Sequence, residues 1–578
     1  MIESIEQGRK EDGNRSIADK IIKRLHDLDK TVENNEGRWA WELLQNAKDS
    51  IADEEKRSVS VRIKLDDDKV EFSHNGIHFT EQDVRGLINQ ISSKEIEEGQ
   101  QTKKTGRFGT GFLTTHLLSR IIDVKGIVET NDKKYYSFEF PLDRNGKTTQ
   151  QLIPKIEDAW AKFQTSTKEI NKDYDKDGFN TSFCYKLNTT EQLQIAKKGV
   201  EEFTKLIPFV LAFIPKIGMV EIIDNTLQKT TIFENSKEII DGCILSISKT
   251  ENKKASDILI LFALNDKVSI ATQIEKNQKG YSIKSIKDIP KLFCDFPLIG
   301  TENFHFPIIV NSFFFNPQTE RDGIWLKGID GDKEVEENKA LLEKAVELFK
   351  SLLSIIIDEP FYDFFNFIET KTPNTNEKYF DEDWYREYVQ TPLRESIIVS
   401  KIVELENSAT DKKAISELWF PSKSYSQKVK DKLWQFTFDL SPNEVCKKEH
   451  VYSWCDVSWE DWKKLDYYEL VNHLEEQGDI EKLSLFIGKN KNETYDWLNS
   501  VCKFLLEDSS NLSCFEDSAI TPNQNGVFKK RTELNIDKIN DADLVTVLEL
   551  LGDDWKDILV NGNVYFGRYQ VKEKKGYC

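Results

Sequence analysis

The 578-residue sequence contains no run of the roughly 18–20 uninterrupted apolar residues that a membrane-spanning helix needs. Its two most apolar stretches are broken, 206–223 by Pro208, Pro215, Lys216 and Glu221, and 348–368 by Lys350, Asp358, Glu359 and Pro360. Paired cysteines are also missing. The eight cysteines are scattered and none forms a C-x-x-C pair, which argues against a disulfide framework and fits a reducing compartment. Cys446, His450 and Cys455 lack the tight spacing of a closed zinc site. Basic charge is in deficit, with 80 Lys and Arg against 100 Asp and Glu and a formal net charge of −20. Such a chain is disfavoured as a coat for nucleic acid, because phosphate contacts need positive potential; a basic patch on one domain stays open. The opening residues Met1-Ile-Glu-Ser-Ile-Glu-Gln lack the basic and apolar regions of a secretory signal. These absences together predict a cytoplasmic protein with no membrane partner. There is no internal repeat of fixed period and no strongly biased segment.

What is present is enough apolar and aromatic side chain (38% and 11%) to build cores, over a length that accommodates about three to four domains. Helical spacing of Ile17, Ile21, Ile22, Leu25 and Leu28 predicts a helix over 14–30 with Ser16 as its cap, and a second helix follows over 39–51. The period then falls to two at Val59, Val61, Ile63 and Leu65, a half-buried strand, and Val70-Glu71-Phe72 opens its hairpin partner. Strands are expected near 121–128, 135–140 and 182–187, and the polar stretch 145–177 reads as an insertion. The expected fold class is α+β, with domains at 1–190 and 191–330, a connecting helix over 331–372 and a Trp-rich interaction region at 373–578. The tryptophans of that last region read as core and interface anchors, since basic residues do not cluster between them.

Three motifs in the first domain carry chemistry. On the second helix, Glu42, Asn46 and Asp49 stand at i, i+4 and i+7 and share one face opposite the apolar stripe. A carboxylate, an amide oxygen and a second carboxylate suit a hard cation with a general base beside it, Asn46 offering Mg²⁺ a neutral oxygen and Glu42 left to take a proton from water. Taken alone, the same pattern more often marks the solvated face of an amphipathic helix. The second motif, His74-Asn75-Gly76 at a strand end, permits close approach of backbone to a flat ligand; alone it is a plain Asn-Gly turn. The third, Gly106-Arg107-Phe108-Gly109-Thr110-Gly111-Phe112, follows the polar loop 92–105 and leads into a helix. Its three glycines let successive amides face one anion at the positive end of the helix dipole. A Rossmann fingerprint fits poorly, because no strand precedes it.

In that order, an E-x-x-x-N-x-x-D helix, a strand ending in Asn-Gly, a polar loop and a G-x-x-G-x-G helix start, the motifs resemble those of the GHKL ATPases across about the first 190 residues. The closer resemblance is to sacsin-type, heat-shock-chaperone-like ATPases of bacteria, supported by the stretches 306–323 and 520–526. The resemblance implies a Bergerat-type α/β sandwich, a transducer-like α+β domain and a mixed, helix-rich C-terminal region, with ATP and Mg²⁺ as cofactors. It implies Glu42 as the catalytic base, Asn46 as the metal ligand, and Asp49, His74, Asn75 and Gly76 in the nucleotide pocket. Gly106, Arg107, Phe108, Gly109, Thr110, Gly111 and Phe112 would cradle phosphates, Lys94 and Lys104 would neutralise them from a lid over 92–105, and Arg321 would reach the terminal phosphate from the second domain. One position departs from the family, which carries an aspartate where this chain has His74; a neutral imidazole accepts one hydrogen bond, which keeps adenine binding open. The function implied is Mg-dependent ATP hydrolysis driving a conformational switch, with a role in anti-phage defence. A protein partner or second copy of the chain is expected, and nucleic acid only through a partner. The alternatives are a nucleotide-sensing module without turnover and the regulatory ATPase subunit of a nucleic-acid-targeting complex.

Overall fold

The computed structural model describes residues 2–30, 36–52, 54, 57–90, 111–240, 242–318, 321–329, 331–374, 378–408, 411–507, 512–538, 542–552, 555–566 and 570–572. The chain divides into two compact units, one of residues 1–367 and 371–391 and one of 368–370 and 392–578. Both mix helix and strand. The first contains the large sheet and the second is helix-rich.

In the first unit, helices α1 (Ile2–Lys30) and α2 (Arg38–Ser50) precede the strands β1 (Val59–Leu65), β2 (Lys69–His74) and β3 (Phe79–Thr80). Ser16 lies inside α1 rather than at its start, because the helix extends well N-terminal of the clean apolar stripe. Helix α3 (Glu81–Asn89) opens on a capping box in which the Thr80 hydroxyl accepts from the Asp83 amide and Asp83 accepts from the Thr80 amide. A single 3₁₀ segment, Gly111–Leu117, then leads to β4 (Ile121–Glu129) and β5 (Tyr135–Asp143). Helix α4 (Thr149–Ser166), β6 (Lys168–Ile170), β7 (Thr181–Lys186), helix α5 (Thr190–Phe213) and β8 (Ile217–Asp224) complete the half that positions the site.

The sheet order β6–β5–β4–β7–β2–β1–β8 follows from the pairings, antiparallel throughout except where β1 meets β8 in parallel. That parallel pairing carries the sheet past residue 190. From β8 it runs on through β9 (Lys229–Ile240), β10 (Ile244–Glu251), β11 (Lys254–Leu264) and β12 (Ser269–Asn277). Strand β7, the strand expected near 182–187, lies inside the sheet between β2 and β4.

Alternation explains which face is covered. Val59, Val61, Ile63 and Leu65 of β1 are fully buried, while Ser60, Arg62 and Lys64 between them are only partly so. The buried face packs in one core with Leu43, Leu44 and Ala47 of α2, Ile21 and Leu25 of α1, and Phe203 and Ile207 of α5. The Trp41 and Phe203 rings meet at 4.6 Å, joining α2 to α5. The polar stretch 145–177 contributes a helix to this core. Leu152, Ile156 and Ala159 of α4 are buried in this same core, and Phe163 packs on Phe138 at 5.3 Å. Its apolar stripe is diluted by Gln, Lys and Asp on the exposed turns, which hides it in composition.

Beyond β12 the first unit holds short strands, among them β13 (Gly280–Ile283), β14 (Leu292–Cys294), β15 (Phe296–Pro297) and β16 (Ile309–Asn311), and helix α6 (Lys333–Ile356). Among the described residues, the second unit has four two-stranded sheets between its helices. Its core is aromatic. Phe420 and Trp462 meet at 4.7 Å, the Trp434 indole N–H donates to the Cys446 carbonyl at 2.8 Å and that of Trp497 to Asp439 at 2.7 Å. Burial raises the Cys446 thiol well above its ordinary range and Cys455 to about 11, and Cys455 donates to the Pro421 carbonyl, an arrangement of protonated core thiols rather than thiolate ligands.

Candidate functional site

Helix α2 is amphipathic in period but not in burial. Its apolar stripe fills the core, yet Glu42, Gln45, Lys48 and Asp49 are also buried, at 4–7% exposure, with Asn46 half-buried between them. A helix on a solvated surface does not enclose four polar side chains; here other segments cover them. Charged groups withdrawn from water cost several kcal/mol each unless paired, so each partner matters.

Three segments converge on α2. At its N-terminal half, Glu42 has the Arg38 guanidinium 3.8 Å away, and Gly111 lies so close that a Cβ there would fall 2.0 Å from Glu42 Oε2. The start of the 3₁₀ segment therefore rests on that carboxylate with room for hydrogen only. Phe112 turns away into the core, packing on Phe183 at 5.4 Å.

At the other end of α2, the turn after β2 packs on Ser50. A Cβ at Gly76 would lie 2.1 Å from Ser50 Oγ. Asn75 holds this turn to β1, its side-chain oxygen accepting from the Ser60 amide at 2.7 Å, while Arg57 donates to the Asn75 carbonyl. His74 is 5% exposed, and its Nδ1 accepts the Gly76 amide N–H at 3.1 Å. Burial, with Arg57 as a second cause, pushes His74 down to about 3, so the ring is neutral at physiological pH. His78, two residues beyond Gly76, sits 3.1 Å from Glu129 Oε2 and 3.2 Å from the Tyr174 hydroxyl.

The third segment comes from the far half of the unit. Arg321 Nη1 donates to Gln45 Oε1 at 3.1 Å across 276 residues of sequence. The loop that carries it is tight. The Gln318 amide donates to the Gly323 carbonyl, the Arg321 amide to the Gln318 carbonyl, and Arg321 itself is held at φ +54°, a conformation a non-glycine residue adopts at some cost. One turn along α2, Lys48 Nζ meets Asp295 Oδ2 at 2.8 Å, a buried ion pair anchored on the turn between β14 and β15, where Asp295 has φ +62° and its amide donates to Asn311.

Glu42, Asn46, Asp49, Gly111, the His74–Gly76 turn and Arg321 thus gather around one helix. Lys94, Lys104, Gly106, Arg107, Phe108, Gly109 and Thr110 lie outside the described residues, as does the expected lid over 92–105. Sequence reasoning passed over Gln45, Lys48 and Asp295. Gln45 and Lys48 stand three residues apart on α2, a spacing that signals a shared face, but nothing local marks Asp295 as the partner of Lys48. No family model and no curated protein matches this sequence.

Proposed function

We propose that this protein is a Mg-dependent nucleoside-triphosphate hydrolase of the GHKL type, ATP being the substrate its motifs imply, and that turnover drives a conformational switch. The observation that carries the reading is the convergence of three sequence-distant segments on the buried polar face of α2: Gly111 at Glu42, the Gly76 turn at Ser50, and Arg321 at Gln45. A buried carboxylate next to a half-buried amide is a donor set that fits a hard cation with phosphate oxygens and water filling its other positions. The cation, when bound, neutralises phosphate charge and polarises the phosphoryl group.

Asn46 would hold that cation through its side-chain oxygen. Glu42, held against the close backbone of Gly111, would orient a water and accept its proton. Asp49, Asn75 and Gly76 would line the nucleotide side of the helix. Arg321, on a strained loop tip already bonded to the residue preceding Asn46, would supply positive charge toward the terminal phosphate. The two ties from the far half of the unit, Arg321–Gln45 and Asp295–Lys48, give α2 a route to report its ligand state to β14–β16 and α6. In this reading the second unit is the interaction region, for a protein partner or a second copy of the chain, with any nucleic acid reached through that partner; the defence role that the resemblance implies belongs to the same proposal. Radioactive phosphate release from magnesium ATP, absent in Glu42→Ala while the triphosphate still binds, tests the assignment. Turnover at the wild-type rate in that variant removes Glu42 as base.

A further inference from the structure

The two ring nitrogens of His74 are not equivalent. A backbone N–H can only donate, so Nδ1, which receives the Gly76 amide at 3.1 Å, must be the unprotonated nitrogen. In a ring kept neutral by burial, the proton is then on Nε2. Nε2 bonds to no described residue and is not among the side-chain atoms sealed from solvent without a partner, so it is the polar atom His74 presents. The tautomer is not free to exchange. Moving the proton to Nδ1 would set two donors against each other inside a turn that Asn75, Arg57 and Ser50 already fix. The expectation that this imidazole accepts a hydrogen bond from a ligand is therefore corrected: the acceptor is consumed within the turn, and what remains is a rigid donor.

We propose that His74 makes this site a reader of a purine carbonyl, so that its preferred nucleotide is a 6-oxopurine triphosphate rather than a 6-aminopurine one. The inference rests on the nucleotide reading above and deepens it. An N–H fixed at the edge of the base pocket meets the C6 oxygen of guanine or hypoxanthine as a hydrogen bond. The C6 amino group of adenine would place a second donor against it and cover it, leaving both unpaired. An unsatisfied buried donor costs about 1–3 kcal/mol, which is roughly a tenfold to hundredfold difference in affinity.

Calorimetric titration of the full chain with the magnesium salts of inosine triphosphate and ATP, at neutral pH, isolates the edge of the base that His74 would read. The wild type is expected to bind inosine triphosphate about tenfold more tightly or better. His74→Asp, which replaces the donor by an acceptor, is expected to invert the order, and His74→Asn, whose amide offers either atom, to bring the two affinities together; the second variant keeps the test intact if a buried aspartate prevents folding. Tighter binding of ATP by the wild type, or a ratio unmoved in both variants, overturns the carbonyl reading and leaves the triphosphate reading standing. Failure of a folded chain to bind either triphosphate overturns both.

Discussion

The two units bury different things. Around α2 the first unit encloses Glu42, Lys48, Asp49, His74 and Asp295, and elsewhere it encloses His116, Arg144, Asp224 and Lys291. Among the described residues the second unit buries no Asp, Glu, Lys, Arg or His at all; its buried polar side chains are Thr370, Thr437, Thr494, Thr521 and Asn523. Aromatic rings fill that unit instead, with Trp462 meeting Trp459 at 4.9 Å and Trp454 at 6.1 Å. Burying apolar surface stabilises at about 25 cal/mol per Å², whereas burying an ionisable group costs free energy unless partners repay it. A fold retains such groups where chemistry uses them. The contrast supports the proposal that the chemistry sits in the first unit, where buried ionisable groups gather, and that the second unit is the interaction region.

Breaking the first half of the contrast needs one substitution. Glu42→Ala is expected to reduce phosphate release by about 10²–10⁴-fold while triphosphate affinity, read by calorimetry, stays within a few-fold. If turnover persists, the buried carboxylate is structural and the contrast loses its functional meaning. Arg321→Ala should lower turnover by about 10²-fold, the scale of one lost charge-stabilising donor, with its loss of the Gln45 bond costing stability little because the pair is only part-buried. An unchanged rate in Arg321→Ala would make the strained loop a packing device.

Much of the first contrast was legible in the sequence because two clean periods carry it. The 3.6-residue stripe of Leu43, Leu44, Ala47 and Ile51 and the alternation of Val59, Val61, Ile63 and Leu65 declare α2 and β1 without help from distant residues. What stayed hidden is non-local or diluted. The parallel pairing of Val61 with Val220 has no local signal, so the sheet's passage from β1 into β8 could not be read from a domain boundary drawn at 190. Helix α4 conceals its stripe among polar turns, and Gln45 meets Arg321 across 276 residues, a contact only the tertiary fold makes. His74 was visible as a departure, but its chemistry was not. Which nitrogen accepts is decided by where the Gly76 amide points, a fact of backbone geometry.

The second half of the contrast is sharpened by a cavity. Trp454→Ala, at a position 1% exposed, should destabilise the second unit by about 3–5 kcal/mol and mark its thermal transition by moving it, while leaving triphosphate affinity unchanged. A loss of affinity as large as the loss of stability would mean that the site depends on the aromatic core.

With that transition identified, pH separates the units by a smaller amount. His74 is pushed down to about 3 by burial, and His116 well below its ordinary range by burial and by the nearby Arg144 and Arg120 guanidiniums. An unfolded chain protonates both near pH 6.5, so between there and the depressed folded values the unfolded state holds the extra protons. The stability that these neutral rings confer is complete above about pH 6.5 and is lost progressively as pH falls from there toward 3. The second unit buries no histidine among its described residues and serves as the internal reference. Calorimetric melts at pH 7.5 and pH 5 should therefore lower the first unit's transition by a few degrees more than the second's. His74→Asn should remove part of that difference, because an amide has no proton to gain. Equal shifts in the two units, or a larger one in the second, would show that burial of these histidines does not govern the acid response.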